Sequence, residues 1–264
     1  MRVPAVAALI VGLLWAVACG SPRIAEGDQT AIGRSDGFPL LAHWPAVTLW
    51  AWQRPEDLSF IDPQRVGVAY LVKTIQLKGE DVFVQPNLNG LKVPAGTKVM
   101  ACARIETDPG APPSLSPREA RETASQLASL AEFPDAKAVQ IDFDATASQR
   151  DFYRHLLVEL RRRLPKSFPL SITALGSWCA GDDWISQLPA EEAVPMLFRM
   201  GPDRNSMLLL LRDGDDFRDP LCRQSVGIST DEPLPRLPAG RRLYIFNSHG
   251  WTKAAFDNIV TNKE

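Results

Sequence analysis

The sequence has no large excess of charge of either sign. Lys and Arg number 29 against 31 Asp and Glu among 264 residues, and the formal net charge is -2. A protein that binds nucleic acid through a polybasic surface is therefore excluded. Disorder is excluded too, because 45% of the residues are hydrophobic and only 23% are charged. The chain also lacks the glycine motifs that bind dinucleotides or nucleoside phosphates, and we predict no cofactor.

Only one stretch is apolar enough to enter a membrane, and it lies at the N-terminus. Residues 5–18 follow the single charge of Arg2 and end in the small-residue pattern Ala-Val-Ala at 16–18. The stretch is short for a transmembrane helix, and its ending is typical of a cleaved secretory signal. We therefore predict a signal peptide over residues 1–18 and an exported protein.

A cysteine directly follows this leader. The sequence around Cys19, with Gly20 and Ser21 after it, resembles the cleavage box of bacterial lipoproteins, in which the cysteine is acylated and becomes the new N-terminus. Ala16 stands where that box prefers Leu, so cleavage by an ordinary signal peptidase with an incidental cysteine is the alternative. Lipidation would anchor the protein to a membrane of the bacterial envelope, on the outer-membrane or periplasmic side, with residues 19–40 as a tether.

Three further cysteines follow Cys19, and an oxidising compartment would favour one disulfide among them. Cys102 lies in a strongly apolar run and is predicted to be a buried free thiol. Cys179 and Cys222 both lie in loop-like segments, and we predict a disulfide between them.

Residues 41–264 are predicted to form one α/β domain, since short apolar runs alternate with amphipathic helical stretches. Helices are expected over 117–133, with Ser116 as N-cap, and over 145–165. A β-hairpin is expected within 79–96, with its turn near Asn89-Gly90. The core strands are expected at 46–52, 66–77, 98–106, 138–145, 170–178, 193–200, 225–230 and 242–248.

Eight strands with intervening helices favour a (β/α)8 TIM-type barrel with some short or missing helices and an inserted β-hairpin. An open, doubly wound sheet is the alternative fold. We expect the protein to be a monomer.

The fourth predicted strand carries two carboxylates on one face. Because side chains alternate along a strand, Asp142 and Asp144 should both point into the barrel near its mouth. Burial and mutual repulsion raise the pKa of such a pair unless partners compensate, and Arg104, Glu106 and Arg199 are candidate neighbours at other strand ends. We interpret the cluster as functional. A buried ion network that only fixes the barrel register is the alternative.

Other predicted strand ends carry aromatic and polar side chains. Aromatic faces stack on the C–H faces of sugar rings, while carboxylates and amides bind hydroxyls, so a carbohydrate ligand is predicted. A metal site would need Asp142, Asp144 and His249 from separate elements, and we predict none. The candidate substrate-binding residues are Trp50, Trp52, Arg104, Trp178, Arg199, Asp231, Glu232, Asn247, His249 and Trp251.

Three segments, at 139–165, 170–184 and 191–201, resemble an uncharacterised bacterial family known as domain-of-unknown-function family three-one-four-two. The family lies near the glycoside-hydrolase barrels, so the resemblance implies a barrel and export.

A more distant likeness is to chitinase-type barrels, whose fourth strand ends in the pattern D-x-x-D-x-D-x-E. Asp142 and Asp144 stand at its second and third acidic positions, Val139 stands at the first, and Thr146 stands where the catalytic Glu is expected. Threonine cannot protonate a glycosidic oxygen, so the family's mechanism does not carry over unchanged.

Three functions remain open at this point. In a glycoside hydrolase acting on an envelope or extracellular polysaccharide, the catalytic residues would be Asp142, Asp144 and Glu106, with Glu232 as another possible acid. A non-catalytic carbohydrate-binding barrel would use the same cleft, and its lack of activity would explain why Thr146 stands where a catalytic Glu is expected. An envelope scaffold lipoprotein would bind a partner protein through the hairpin at 79–96.

Overall fold

The computed structural model describes residues 40–181, 183–233 and 237–261. The predicted signal peptide, Cys19 and the tether up to residue 39 lie outside this range. Within the described ranges, none of the helices has the length and hydrophobicity needed to span a membrane.

The described part of the chain contains eleven strands, of which eight are parallel and make up a barrel. In chain order the strands are β1 (Val47–Ala51), β2 (Glu56–Asp57), β3 (Val66–Lys78), β4 (Asp81–Pro86), β5 (Leu91–Lys92), β6 (Val99–Thr107), β7 (Ala136–Asp142), β8 (Leu170–Leu175), β9 (Glu192–Met196), β10 (Ser225–Ser229) and β11 (Arg242–Phe246).

The barrel is closed through its first strand. Around the barrel the order is β1, β11, β10, β9, β8, β7, β6 and β3, and β1 pairs in parallel with both β11 and β3. Thr48, for example, lies opposite Tyr244 on one side and Gly67 on the other. The predicted TIM-type barrel is therefore confirmed, and the open sheet is excluded because the parallel strands leave no free edge.

The helices between the strands are few and mostly short, as predicted. Ser116 caps the first by accepting a hydrogen bond from the backbone N–H of Glu119. In the second, Phe152, Leu156 and Leu160 are buried against the barrel. The five α-helices of the described residues are α1 (Pro117–Ala128), α2 (Arg150–Arg163), α3 (Gly176–Gly181), α4 (Arg204–Arg212) and α5 (Lys253–Thr261).

The inserted hairpin is present, but its predicted turn is wrong. β3 continues beyond the barrel and pairs antiparallel with β4, and Lys78 faces Asp81 across a two-residue turn. Gly79, the first turn residue, has a φ of 56°, which glycine tolerates best. Asn89-Gly90 instead precedes β5, which pairs in parallel with β2.

Two separate apolar regions lie against the barrel wall, one between the wall and the helices and the other inside the barrel. On β7, Val139 and Ile141 pack outward against the helices. Trp50, Met100 and Tyr244 fill the barrel interior, and Cys102, a buried free thiol, lies among them. The interior is therefore a packed core up to the level of Trp50, and only its C-terminal mouth can hold a ligand.

A disulfide joins Cys179 of α3 to Cys222, which lies just before β10. This bond closes a segment of 43 residues and ties the loop after β8 to the start of β10.

Candidate functional site

A cavity of about 360 Å³ opens at the C-terminal ends of the barrel strands. Residues from β6, β7 and the middle of β8 form a polar wall, whereas residues from the end of β8, β9, α4 and β11 form an apolar one. The cavity is lined by Trp50, Trp52, Gln53, Arg104, Asp142, Asp144, Thr173, Leu175, Gly176, Ser177, Met196, Phe198, Arg199, Met200, Asp203, Met207 and Phe246.

Asp142 lies at the base of the polar wall and is only 7% exposed. Its Oδ1 accepts a hydrogen bond of 2.7 Å from the hydroxyl of Thr173, and its Oδ2 lies 3.5 Å from Nη1 of Arg104. The same guanidinium donates from Nε to Glu106 at 2.9 Å. Asp144, two residues further along the chain, is more exposed at the cavity surface.

Both carboxyls are shifted towards the neutral form. Burial, and secondly the charge of Asp144, raises the pKa of Asp142 from 3.8 to about 6, although Arg104 and Thr173 act in the opposite direction. Burial also raises the pKa of Asp144, and Arg104 again opposes the shift. Both shifts favour the protonated carboxyl, which is the form that a general acid needs.

Trp50 forms the floor of the cavity. Its indole Nε1 donates a hydrogen bond of 2.8 Å to Oε1 of Gln140, and Gln140 in turn donates to Ser171 at 3.0 Å. The ring lies against Gly227 of β10, where a Cβ atom would be 2.8 Å from the nearest ring carbon. Glycine at this position is therefore what allows the indole to lie across the barrel.

The apolar wall contains a stacked aromatic pair. The rings of Phe198 and Phe246 are parallel within 3°, with centroids 5.8 Å apart, and the guanidinium carbon of Arg199 lies 5.5 Å from the Phe246 centroid. Arg199 has a φ of 51°, a left-handed conformation that is strained for arginine. Glu232 holds it there by accepting a hydrogen bond of 2.8 Å from its backbone N–H, and also contacts the guanidinium of Arg204.

Six of the residues predicted for the site line this cavity. Two more lie immediately behind it, because Glu106 pairs with Arg104 and Glu232 supports Arg199. The six are Trp50, Trp52, Arg104, Asp142, Asp144 and Arg199.

Two of the predicted tryptophans lie in the core instead. Trp178 is 3% exposed and packs edge-to-face on Trp184. It does not reach the cavity because β8 ends at Leu175 and Trp178 belongs to α3. Trp251 is also buried and donates from Nε1 to the backbone oxygen of Trp50 at 2.9 Å. Neither ring is available to a ligand, although Trp251 helps to hold the cavity floor.

Three predicted polar residues lie at the rim and do not line the cavity. Asn247 stabilises its own turn, donating to the backbone of Gly250 and accepting from the N–H of His249. The His249 side chain is 87% exposed, and its Nδ1 lies 3.5 Å from Asp231. Within the described ranges, no group of three or more His, Cys, Asp or Glu residues is arranged to hold a metal ion.

Several cavity residues were absent from the sequence prediction. Met196, Phe198 and Met200 alternate along one segment, and this alternation is a signal that could have been read as a cavity-facing side. Thr173 and Gln53 gave no signal, since a lone polar residue at a strand end is common.

Thr146, which the sequence pattern likened to the acid position of chitinase-type barrels, does not line the cavity. Its side chain accepts from the backbone N–H of Gln149, and its own N–H donates to Oε1 of Gln149 at 2.9 Å. This reciprocal capping box starts the helical segment that continues into α2. A structural role thus accounts for the threonine.

No protein-family model and no curated protein sequence matches the chain. Membership of the uncharacterised family named above therefore stays a prediction.

Among solved structures, the chain is similar to a protein assigned as Chitinase A from Streptomyces coelicolor, with 12% identity, a TM-score of 0.54 and coverage of 83% of this chain and 96% of that one. Looser matches are the chitinase domain of the spore coat protein CotE from Clostridium difficile (13% identity, TM-score 0.41, coverage 76% and 64%) and a GH18 chitinase from Pseudoalteromonas aurantia (11%, 0.42, 81% and 98%). The first likeness shows a shared TIM-type barrel fold.

Proposed function

We propose that this barrel binds a saccharide in the cavity at its mouth and hydrolyses a glycosidic bond there. The observation that carries the proposal is the pair Asp142 and Asp144, two carboxyls of raised pKa facing a wall of aromatic rings. Glycoside hydrolysis needs a carboxylic acid that is protonated near neutral pH, a nearby negative charge, and a surface that binds sugar rings.

Asp144 is the best candidate for the proton donor. It lines the cavity and is the more exposed of the two carboxyls, so it can reach a glycosidic oxygen. Asp142 is buried and bonded to Thr173 and Arg104, so it would stay fixed at the base of the cavity and stabilise positive charge on the sugar. Glu106 does not line the cavity and is paired with Arg104, which makes it a weaker candidate.

A second candidate function is saccharide binding without turnover. Thr146 favours it, because the position of the chitinase-type acid is taken by a helix cap. The two functions share one site, and only the formation of products separates them.

The test is a screen of envelope and extracellular polysaccharides for chain shortening, using wild-type protein and the Asp144→Asn variant. Hydrolysis predicts shorter products from wild type and a loss of at least about 100-fold in rate for the variant. Asp62→Asn is the matched control, because Asp62 precedes β3 and lies at the opposite end of the barrel. Equal shortening by Asp144→Asn and wild type would refute the assignment, and binding without products would leave the binding function.

We further propose that the protein is exported and anchored through lipidated Cys19. The leader and the cleavage box support this, and a disulfide between Cys179 and Cys222 fits an oxidising compartment. Mass spectrometry of the protein made in bacteria should find an acylated Cys19 at the N-terminus. A Cys19→Ser variant should lose the lipid and leave the membrane fraction, whereas an unmodified cysteine in wild type would contradict the anchor.

A further inference from the structure

A second depression lies beside the cavity, on the inserted hairpin. It has a volume of about 380 Å³, and Gln53 lines both it and the cavity. We call it the amide shelf, and it is formed by Gln53, Leu71, Thr74, Gln85, Pro86, Asn87, Leu88 and Asn89. None of these side chains is charged, so the shelf suits a neutral polar ligand.

The loop that forms the shelf is held in one conformation. Asn87 donates from Nδ2 to the backbone oxygen of Leu71 at 2.7 Å, and its Oδ1 accepts from both the backbone N–H and the side chain of Asn89. The hydroxyl of Tyr70 also bonds to the backbone oxygen of Asn89. A ligand would therefore meet a preorganised surface and lose little entropy in ordering it.

Leu88 projects from this fixed loop and is 91% exposed. An apolar side chain held in water on a rigid turn stabilises nothing within the fold, because the Asn87 and Asn89 bonds on either side already define the turn. It does offer an apolar contact beside polar groups, which is the combination that a sugar ring requires.

The amides of the shelf have hydrogen-bonding capacity to spare. Within the described ranges, the side chains of Gln53 and Gln85 form no hydrogen bond. Each amide offers two N–H donors and one carbonyl acceptor in a plane, which matches sugar hydroxyls that both donate and accept. Gln53 lies where the shelf meets the cavity, so one ligand could use both.

We propose that the ligand is an oligosaccharide, whose chain leaves the cavity over Gln53 and rests with neutral sugar units on the amide shelf. This inference rests on the proposed function, because it needs a saccharide in the cavity. It adds a second binding region and requires a chain, since Gln53 is the one described residue that lines both the cavity and the shelf.

The test measures affinity against chain length by isothermal titration calorimetry. The probes are cello-, chito-, xylo- and manno-oligosaccharides of about one to six units, titrated into the Asp144→Asn protein to prevent turnover. For the series that binds, affinity should rise about tenfold or more when the chain becomes long enough to reach the shelf. Adding Gln85→Ala or Leu88→Ala should remove that rise and leave the affinity for the shortest binding member unchanged.

Gln64→Ala is the matched control, because Gln64 is an exposed glutamine that precedes β3 at the other end of the barrel. It should keep the full rise. A rise that persists in both shelf variants, or affinity that does not depend on length, would overturn the shelf while leaving a saccharide site in the cavity. Failure of every probe to bind, short or long, would overturn the shelf and the proposed function together.

Discussion

Replacing Asp142 with Asn should stabilise the fold at neutral pH, even though the residue lies at the base of the candidate site. The Asp142 carboxyl is almost fully buried, and its pKa is raised from 3.8 to about 6. The folded protein therefore binds this proton more tightly than the unfolded chain does, and stability falls as pH rises between these two values. Asparagine has a similar shape and stays neutral, so the variant avoids that loss.

The size of the effect follows from the pKa. One pKa unit corresponds to about 1.4 kcal/mol, so a pKa of about 6 in place of 3.8 corresponds to about 3 kcal/mol. This is the upper bound of the gain in unfolding free energy at about pH 8, where Asp142 is ionised in both states. The gain should shrink as the pH falls through about 6 and vanish below about 4, where wild-type Asp142 is protonated in both states.

The assay is urea unfolding of wild type and Asp142→Asn at several pH values between about 4 and about 8, with the disulfide kept oxidised. The midpoint of the variant should exceed that of wild type only at the upper end of this range. The Asp62→Asn variant removes one carboxylate at the opposite end of the barrel and controls for charge removal in general. A variant that is equally or less stable than wild type at pH 8 would contradict a raised pKa for Asp142, since the carboxyl would then contribute stability when ionised.

Three other substitutions test how the barrel supports the site. Gly227→Ala places a Cβ atom 2.8 Å from the Trp50 ring, so the free energy of unfolding should fall by roughly 1–3 kcal/mol. A matching fall in saccharide affinity would show that the Trp50 ring, which forms the cavity floor, has moved. The double change Cys179→Ala with Cys222→Ala removes the bond across 43 residues and should cost about 2–4 kcal/mol by thermal denaturation; no change would mean that the bond does not constrain the unfolded chain. Glu192→Ala removes a buried carboxylate that pairs with the guanidinium of Arg242 and accepts a hydrogen bond from the buried hydroxyl of Tyr244, so we expect a loss of roughly 3–5 kcal/mol in urea, and a loss below about 1 kcal/mol would contradict the pairing.

The barrel could be predicted from the sequence because each strand is a short apolar run bounded by turn residues. All eight predicted core strands are present, although most end earlier than the apolar pattern does. The hairpin turn was misplaced for a physical reason. Asn89-Gly90 has the stronger local preference, but β3 is 13 residues long and provides a template on which β4 pairs directly after Gly79. The preference of two neighbouring residues for a turn takes no account of the hydrogen bonds that β3 and β4 form along their length.

The site was predictable in part. Asp142 does point into the barrel, as the alternation of polar and apolar residues along β7 predicts, because successive side chains of a strand point to opposite faces of the sheet. Trp178 was misplaced because periodicity does not show where a strand ends, and three residues of the predicted strand belong to a helix. The pairing of Phe198 with Phe246 was beyond sequence reasoning, because Phe198 follows β9 and Phe246 ends β11, and the two rings meet only in the closed barrel.

Saccharide binding in the cavity can be seen directly in a crystal structure of the Asp144→Asn variant with the longest oligosaccharide that binds it. We expect a sugar ring against the aromatic wall of the cavity, with a glycosidic oxygen within hydrogen-bond distance of residue 144 and further units towards Gln85. A saccharide bound elsewhere, with the cavity free of sugar, would contradict it.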